Sequence, residues 1–196
     1  NDMGSVFQRF NRLFEYFPLA AVIQDRILCV HSGIGSTIRS VEELESIPRP
    51  IEIVHEPVKR EQQIVLDIFW SDPVTESSNS ELSQSKQAYG IKNAVKFDSE
   101  HLKEFLKDNG MGMLVRSHEC VADGFERIWG GALTTVFSAT DYCGKNSNAA
   151  AVMVFKKNLE VIPKVIYPLS SGGIMIQYGG TWQEEKAPER SGCKVF

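Results

Sequence analysis

Apolar residues along this chain switch between two periods, and the switches mark its elements. Phe7, Phe10, Phe14 and Phe17 recur at three- and four-residue steps, which predicts one helical face that Pro18 terminates. Two apolar runs, Leu19 to Ile23 and Ile27 to Val30, flank Gln24-Asp25 and predict a hairpin. Ser40 with Glu43 forms a capping box that opens a short helix at Val41. Pro48, Pro50 and Pro57 keep the following stretch irregular, and Glu61 to Phe69 reads as a helix running into Trp70-Ser71-Asp72-Pro73. Residues 75–89 are polar and poor in large apolar side chains, so a long mobile loop is expected there. Ser99 can cap a helix that buries Leu102, Phe105 and Leu106 and ends at Gly110.

Strand-like runs dominate afterwards: Met113 to Val115, Phe125 to Trp129, Leu133 to Phe137, Ala149 to Phe155, and Val161 to Tyr167. Gly130-Gly131 suits a tight turn between the second and third. From Ser170 the chain is rich in Gly and charge, which predicts a flexible tail over 169–196 behind a domain over 1–168. There is no internal repeat. Helices first and clustered antiparallel strands later predict an α+β layered domain.

Composition narrows the function classes. A length of 196 residues fits one domain, and 42% apolar with 23% charged residues is ordinary for a globular chain. The net charge of −4 predicts no affinity for nucleic acid. No apolar run approaches the roughly 20 residues a membrane span needs, and no signal peptide opens the chain. Cys29, Cys120, Cys143 and Cys193 show no CxxC pairing, which suits a reducing compartment, the cytoplasm or nucleus. The early helix after Asn1-Asp2-Met3-Gly4 suggests a piece of a larger protein.

Chemistry concentrates at two histidines. His31 follows Ile27-Leu28-Cys29-Val30, and His118 follows Met113-Leu114-Val115-Arg116-Ser117. An apolar strand ending in His and a small-residue turn can hold an imidazole rigidly over a metal. A hydrogen-bonded core histidine is the competing reading, and two histidines alone cannot make a catalytic metal centre.

Five segments in order resemble one family, the metal-dependent serine/threonine phosphoprotein phosphatases. They are Pro18-Leu19-Ala20-Ala21, Leu28 to Gly33, Trp70-Ser71-Asp72-Pro73, Val115 to Glu119, and Phe137-Ser138-Ala139-Thr140-Asp141-Tyr142-Cys143-Gly144. The stretch from Gly35 to Ile51 is most similar to the Kelch-bearing branch. The resemblance implies a calcineurin-like layered β-sandwich flanked by helices. It implies hydrolysis of phosphoserine and phosphothreonine proteins by water activated on two divalent ions, Mn, Fe or Zn. It further implies His31 and His118 as ligands of one ion, and Arg116 as a brace rather than a plain surface cation. By the same resemblance Asp72 is a carboxylate orienting the site, against an Asp-Pro turn former. Tyr142 overhangs the substrate groove, against a half-buried loop aromatic, and Cys143 is open to electrophiles. His55 and His101 match no motif and are expected at the surface.

Only the C-terminal half of such a catalytic domain is represented. Gly-Asp-x-His-Gly, Gly-Asp-x-Val-Asp-Arg-Gly and Gly-Asn-His-Glu are absent from the sequence, so the missing half is itself an expected partner and the piece alone is expected to be inactive, with its metal set incomplete. Tyr89 stands where the family has a phosphate-clamping Arg, with Lys86 and Lys92 nearby, and Asp141 stands where it has Asn. Both departures leave open a pseudophosphatase that binds phosphoproteins or regulators. The terminal Cys193-Lys194-Val195-Phe196 loosely fits a prenylation pattern, although Lys194 is not aliphatic and a membrane partner is not expected.

Overall fold

A computed structural model describes residues 4–75, 95–144, 146–168 and 193–195. Helix α1 (Val6–Phe14) opens with a reciprocal cap: Ser5 accepts from the Gln8 amide, and the Gln8 side chain accepts from the Ser5 amide. Strands β1 (Ala20–Ile23) and β2 (Ile27–Val30) form the expected hairpin, with Gln24 and Asp25 at φ 51° and 53°. Positive φ at both central residues matches the twist of paired strands.

The short helix α2 (Val41–Glu45) and helix α3 (Arg60–Trp70) follow. Helix α4 (Ser99–Asp108) is capped by Asp98, whose carboxylate accepts from the His101 amide; the expected cap, Ser99, is its first residue. His55 is exposed, whereas His101 is half-buried on α4 rather than at the surface.

Strands β3 (Met113–Arg116), β4 (Phe125–Ile128) and β5 (Leu133–Val136) complete most of the main sheet. β6 (Ala150–Phe155) and β7 (Val161–Ile166) form a separate antiparallel pair. β8 is Cys193–Val195.

The main sheet has the order β4-β5-β3-β2-β1-β8. It is mixed: β2 runs parallel to β3 and β3 to β5, where clustered antiparallel strands were expected. Helices α3 and α4 lie between β2 and β3 in the chain, and a crossover of that length allows parallel pairing. The two sheets with their helices keep the architecture α+β. Val22, Leu28, Leu114 and Leu133 align in register across four strands and are buried. That row meets Leu44, Ile64, Ile68, Leu102 and Phe105 from the helices in one apolar core.

Two expectations change at the periphery. The tail expected over 169–196 lies outside the described residues as far as 192, but Cys193–Val195 pairs antiparallel with β1. The free edge of β1 offers unpaired amides and carbonyls, and a strand satisfies them better than a loose end does. The loop expected over 75–89 lies outside the described residues from 76 onward. Its flanks are joined: Pro73 bridges to Phe97, and the Val74 amide donates to the Phe97 carbonyl at 2.8 Å.

Among the described residues no helix is long and apolar enough to cross a membrane.

Candidate metal and phosphate site

The parallel pairing of β2 with β3 creates the site. Both strands end on the same edge of the sheet, where side chains that follow parallel strands converge. His31 follows β2 directly and His118 follows β3 by two residues. The Ser117 amide donates to the His31 carbonyl at 2.9 Å and locks the two loops together. As a result His118 Nδ1 lies 3.1 Å from His31 Nε2, although 87 residues separate them. The rings meet edge to face, with centroids 5.0 Å apart. Beneath them α3 presents Phe69 to His31 and Trp70 to His118, at centroid distances of 6.2 and 5.5 Å.

His31 is open to solvent on one side. Burial of its inner side, and then the Arg116 charge, lower its pKa against an opposing pull from Asp72. The neutral imidazole so favoured is the form that ligates a metal. Two nitrogens bound to one ion at about 2.0–2.1 Å in adjacent positions lie about 3 Å apart. The observed 3.1 Å fits that requirement. Among the described residues no group of three or more His, Cys, Asp or Glu could hold a metal.

Arg116 is buried, with the side chain 0% exposed, and all three of its guanidinium nitrogens are engaged. Nε donates to the Ser32 carbonyl, Nη1 to Glu119 at 2.6 Å, and Nη2 to Asp72 at 2.9 Å. With Nη2 also 3.5 Å from the Ser32 hydroxyl, each guanidinium nitrogen is held within the protein. Its chemistry is bracing: it ties the loop after His31, through Ser32, to the loop that carries His118. Asp72 is also buried and lies 3.9 Å from His118 Nε2, with its Oδ1 also 3.3 Å from the Ser32 hydroxyl. It therefore faces both histidine loops.

Gly33 is required by space, since a Cβ there would lie 2.7 Å from Ser71 Oγ and 2.8 Å from the Ser71 carbonyl.

Tyr142 stands on a separate loop, 46% exposed, with its ring edge-on to Phe137 at 5.1 Å. Asp141 and Cys143 beside it are exposed and adopt φ of 47° and 59°. Asp tolerates that left-handed region nearly as well as Asn, so the departure at 141 preserves the turn. Tyr89, Lys86 and Lys92 lie outside the described residues.

Sequence reasoning singled out His31, His118, Arg116, Asp72 and Tyr142, of which the structure brings the first four together and leaves Tyr142 on a separate loop, and it gave no role to Ser32, Glu119 or Asn148. Glu119 was detectable, standing three residues beyond an Arg. Ser32 and Asn148 act through backbone partners that no local pattern announces.

A calcineurin-like phosphoesterase family profile matches residues 1–122. The chain is 43% identical over 164 residues to the serine/threonine-protein phosphatase BSL2 of Arabidopsis thaliana, a match covering 84% of this chain and 15% of that protein. It is also similar to the solved structure of a protein serine/threonine phosphatase from Saccharomyces cerevisiae. There the TM-score is 0.66 at 22% identity, over 83% of this chain and 51% of the other, a likeness of fold alone. The chain thus spans a small part of one relative and about half of the other. With two histidines converging at the ends of parallel strands, and the matched residues spanning both, the chain belongs to the calcineurin-like phosphoesterases.

Proposed function

We propose that this chain is the C-terminal half of a protein serine/threonine phosphatase catalytic domain and contributes to hydrolysis of phosphoserine and phosphothreonine proteins. The observation that carries the reading is the 3.1 Å approach of His31 Nε2 and His118 Nδ1. His31 and His118 hold one divalent ion of a pair, with Mn, Fe or Zn as the candidates. When bound, the pair supplies an activated water and charge stabilisation for phosphoester hydrolysis. Arg116, neutralised by Asp72 and Glu119, keeps the two imidazoles at ligand spacing. Asp72 orients the His118 side of the site, and Tyr142 lines the groove for the phosphoprotein. The rest of the catalytic domain is the immediate partner. Helix α1 supports this, since Phe7 and Phe10 are 76% and 53% exposed and none of its residues is buried. An aromatic face of that kind calls for a cover.

The stretch from Gly35 to Ile51 and the likeness to BSL2 favour the Kelch-bearing branch and a signalling role, and the lack of CxxC pairing suits the cytoplasm or nucleus. The test uses the complete catalytic domain, supplied with Mn and assayed on a phosphoserine peptide. His118→Ala is expected to lower turnover about 100-fold or more, because it removes a direct ligand. Wild-type turnover in that variant rejects the assignment.

A further inference from the structure

Asn148 is 2% exposed and spends its whole amide on neighbouring backbone. Its Oδ1 accepts from the Tyr142 amide at 2.9 Å. Its Nδ2 donates to the Ala139 and Ala149 carbonyls, each at 2.8 Å. Its own carbonyl accepts from the Asp141 amide at 3.1 Å. The loop it grips has little regular structure beyond a single 3-10 turn, Tyr142–Gly144. Asp141 and Cys143 both sit at positive φ, a conformation that Asp tolerates but that costs a residue such as Cys about 1–2 kcal/mol, offset by contacts from outside the loop. Asn148 supplies those contacts.

The adjacent residues grip the other side. The Ala149 amide donates to the Ala122 carbonyl at 2.9 Å, in the loop that leads away from His118. At Gly124, in the same loop, a Cβ would run into the Ala150 backbone, so the two segments touch with no side chain between them. Residues 148–150 therefore fasten both the Tyr142 loop and the His118 loop.

We propose that Asn148 is a positioning residue for the phosphoprotein substrate, acting through Tyr142. The proposal rests on the phosphatase reading above and deepens it: Asn148 sets where the exposed Tyr142 ring stands, and so governs binding of an extended phosphopeptide rather than the chemical step. Asp at 148 would keep the shape, lose both donors and turn a carboxylate towards two carbonyls. Ala would remove all three side-chain bonds and leave the backbone contact from the Asp141 amide.

The experiment uses the complete catalytic domain with two substrates, a phosphoserine peptide and a small aryl phosphate that does not reach along a groove. Wild-type turnover of both is measured first, which tests the phosphatase reading by itself. Asn148→Ala and Asn148→Asp are expected to raise KM for the peptide about tenfold, the size of one lost good hydrogen bond. The peptide kcat and both aryl phosphate constants change by less than about threefold. Tyr142→Ala gives the same KM rise, and adding Asn148→Ala to it produces no further rise. Additive KM effects, or an equal fall of kcat on both substrates at unchanged KM, overturn the proposal. A measurement free of variants guards against misfolding. Hydrogen exchange of the wild-type protein should show the Tyr142 amide protected despite its exposed loop, and free exchange there overturns the proposal even if no turnover is found.

Discussion

Removing Asp72 tests whether Arg116 is truly a desolvated cation held by two carboxylates. The Arg116 side chain is 0% exposed, against 7% for Asp72 and 25% for Glu119. Asp72→Ala leaves a buried guanidinium with one carboxylate instead of two, while the contacts to Glu119 and the Ser32 carbonyl remain. Breaking one arm of a buried ion pair typically costs about 3–5 kcal/mol. The surviving Glu119 contact at 2.6 Å places this case near the lower end, at about 3 kcal/mol. Glu119→Gln is the internal comparison. It keeps an acceptor for Nη1, gives up charge at a partly wet position, and should cost about 1 kcal/mol.

Urea unfolding of the complete catalytic domain, followed by tryptophan fluorescence, reads the difference. With an m-value of about 2–3 kcal/mol per molar, Asp72→Ala moves the midpoint by about 1 M at unchanged m, and Glu119→Gln by roughly a third of that. Asp72→Asn, which keeps the acceptor and loses the charge, falls between them. A midpoint for Asp72→Ala within about 0.3 M of wild type, or equal to that of Glu119→Gln, refutes the reasoning. It would mean that water reaches the guanidinium and that the brace between the histidine loops is weak.

Other outcomes follow from the same geometry. Gly33→Ala forces a Cβ against Ser71 and the Phe97 ring, so it should cost about 1–3 kcal/mol and weaken metal retention, read by denaturation and elemental analysis. Asp67 is buried on α3, and burial raises its pKa despite hydrogen bonds from Gln63, Thr37 and Ser36. With a raised folded pKa, the contribution of Asp67 to stability is greatest below the ordinary carboxylate range and declines as pH rises through the raised value. Asp67→Asn should remove that decline, so the stability difference between variant and wild type should shift between acid and neutral pH; a pH-independent difference counts against it. Since the described residues bring together only His31 and His118, this chain by itself should not retain two stoichiometric ions, and inductively coupled plasma analysis showing two tightly bound ions per chain would contradict that.

Much of the local structure was legible in the sequence because its causes are local. The Phe7-Phe10-Phe14 spacing specifies α1, Gln24-Asp25 specifies the hairpin turn, and Glu43 reaching the Ser40 amide specifies the start of α2. The ends of two apolar runs likewise marked His31 and His118. What the sequence alone could not supply is the partner of each element. That β2 lies parallel to β3, and β8 closes the β1 edge, depends on strand pairings far apart in the chain, and periodicity carries no record of partner choice. The same holds for Arg116, whose sequence neighbours suggest nothing of burial until Ser32 and Asp72 arrive from 84 and 44 residues away. It holds for Asn148, whose role exists only because the backbone of 139–142 folds back onto it. Residue patterns encode which face of an element is apolar and where it stops; which polar groups meet inside is decided when those faces pack, because a buried donor must find its acceptor wherever the fold brings one.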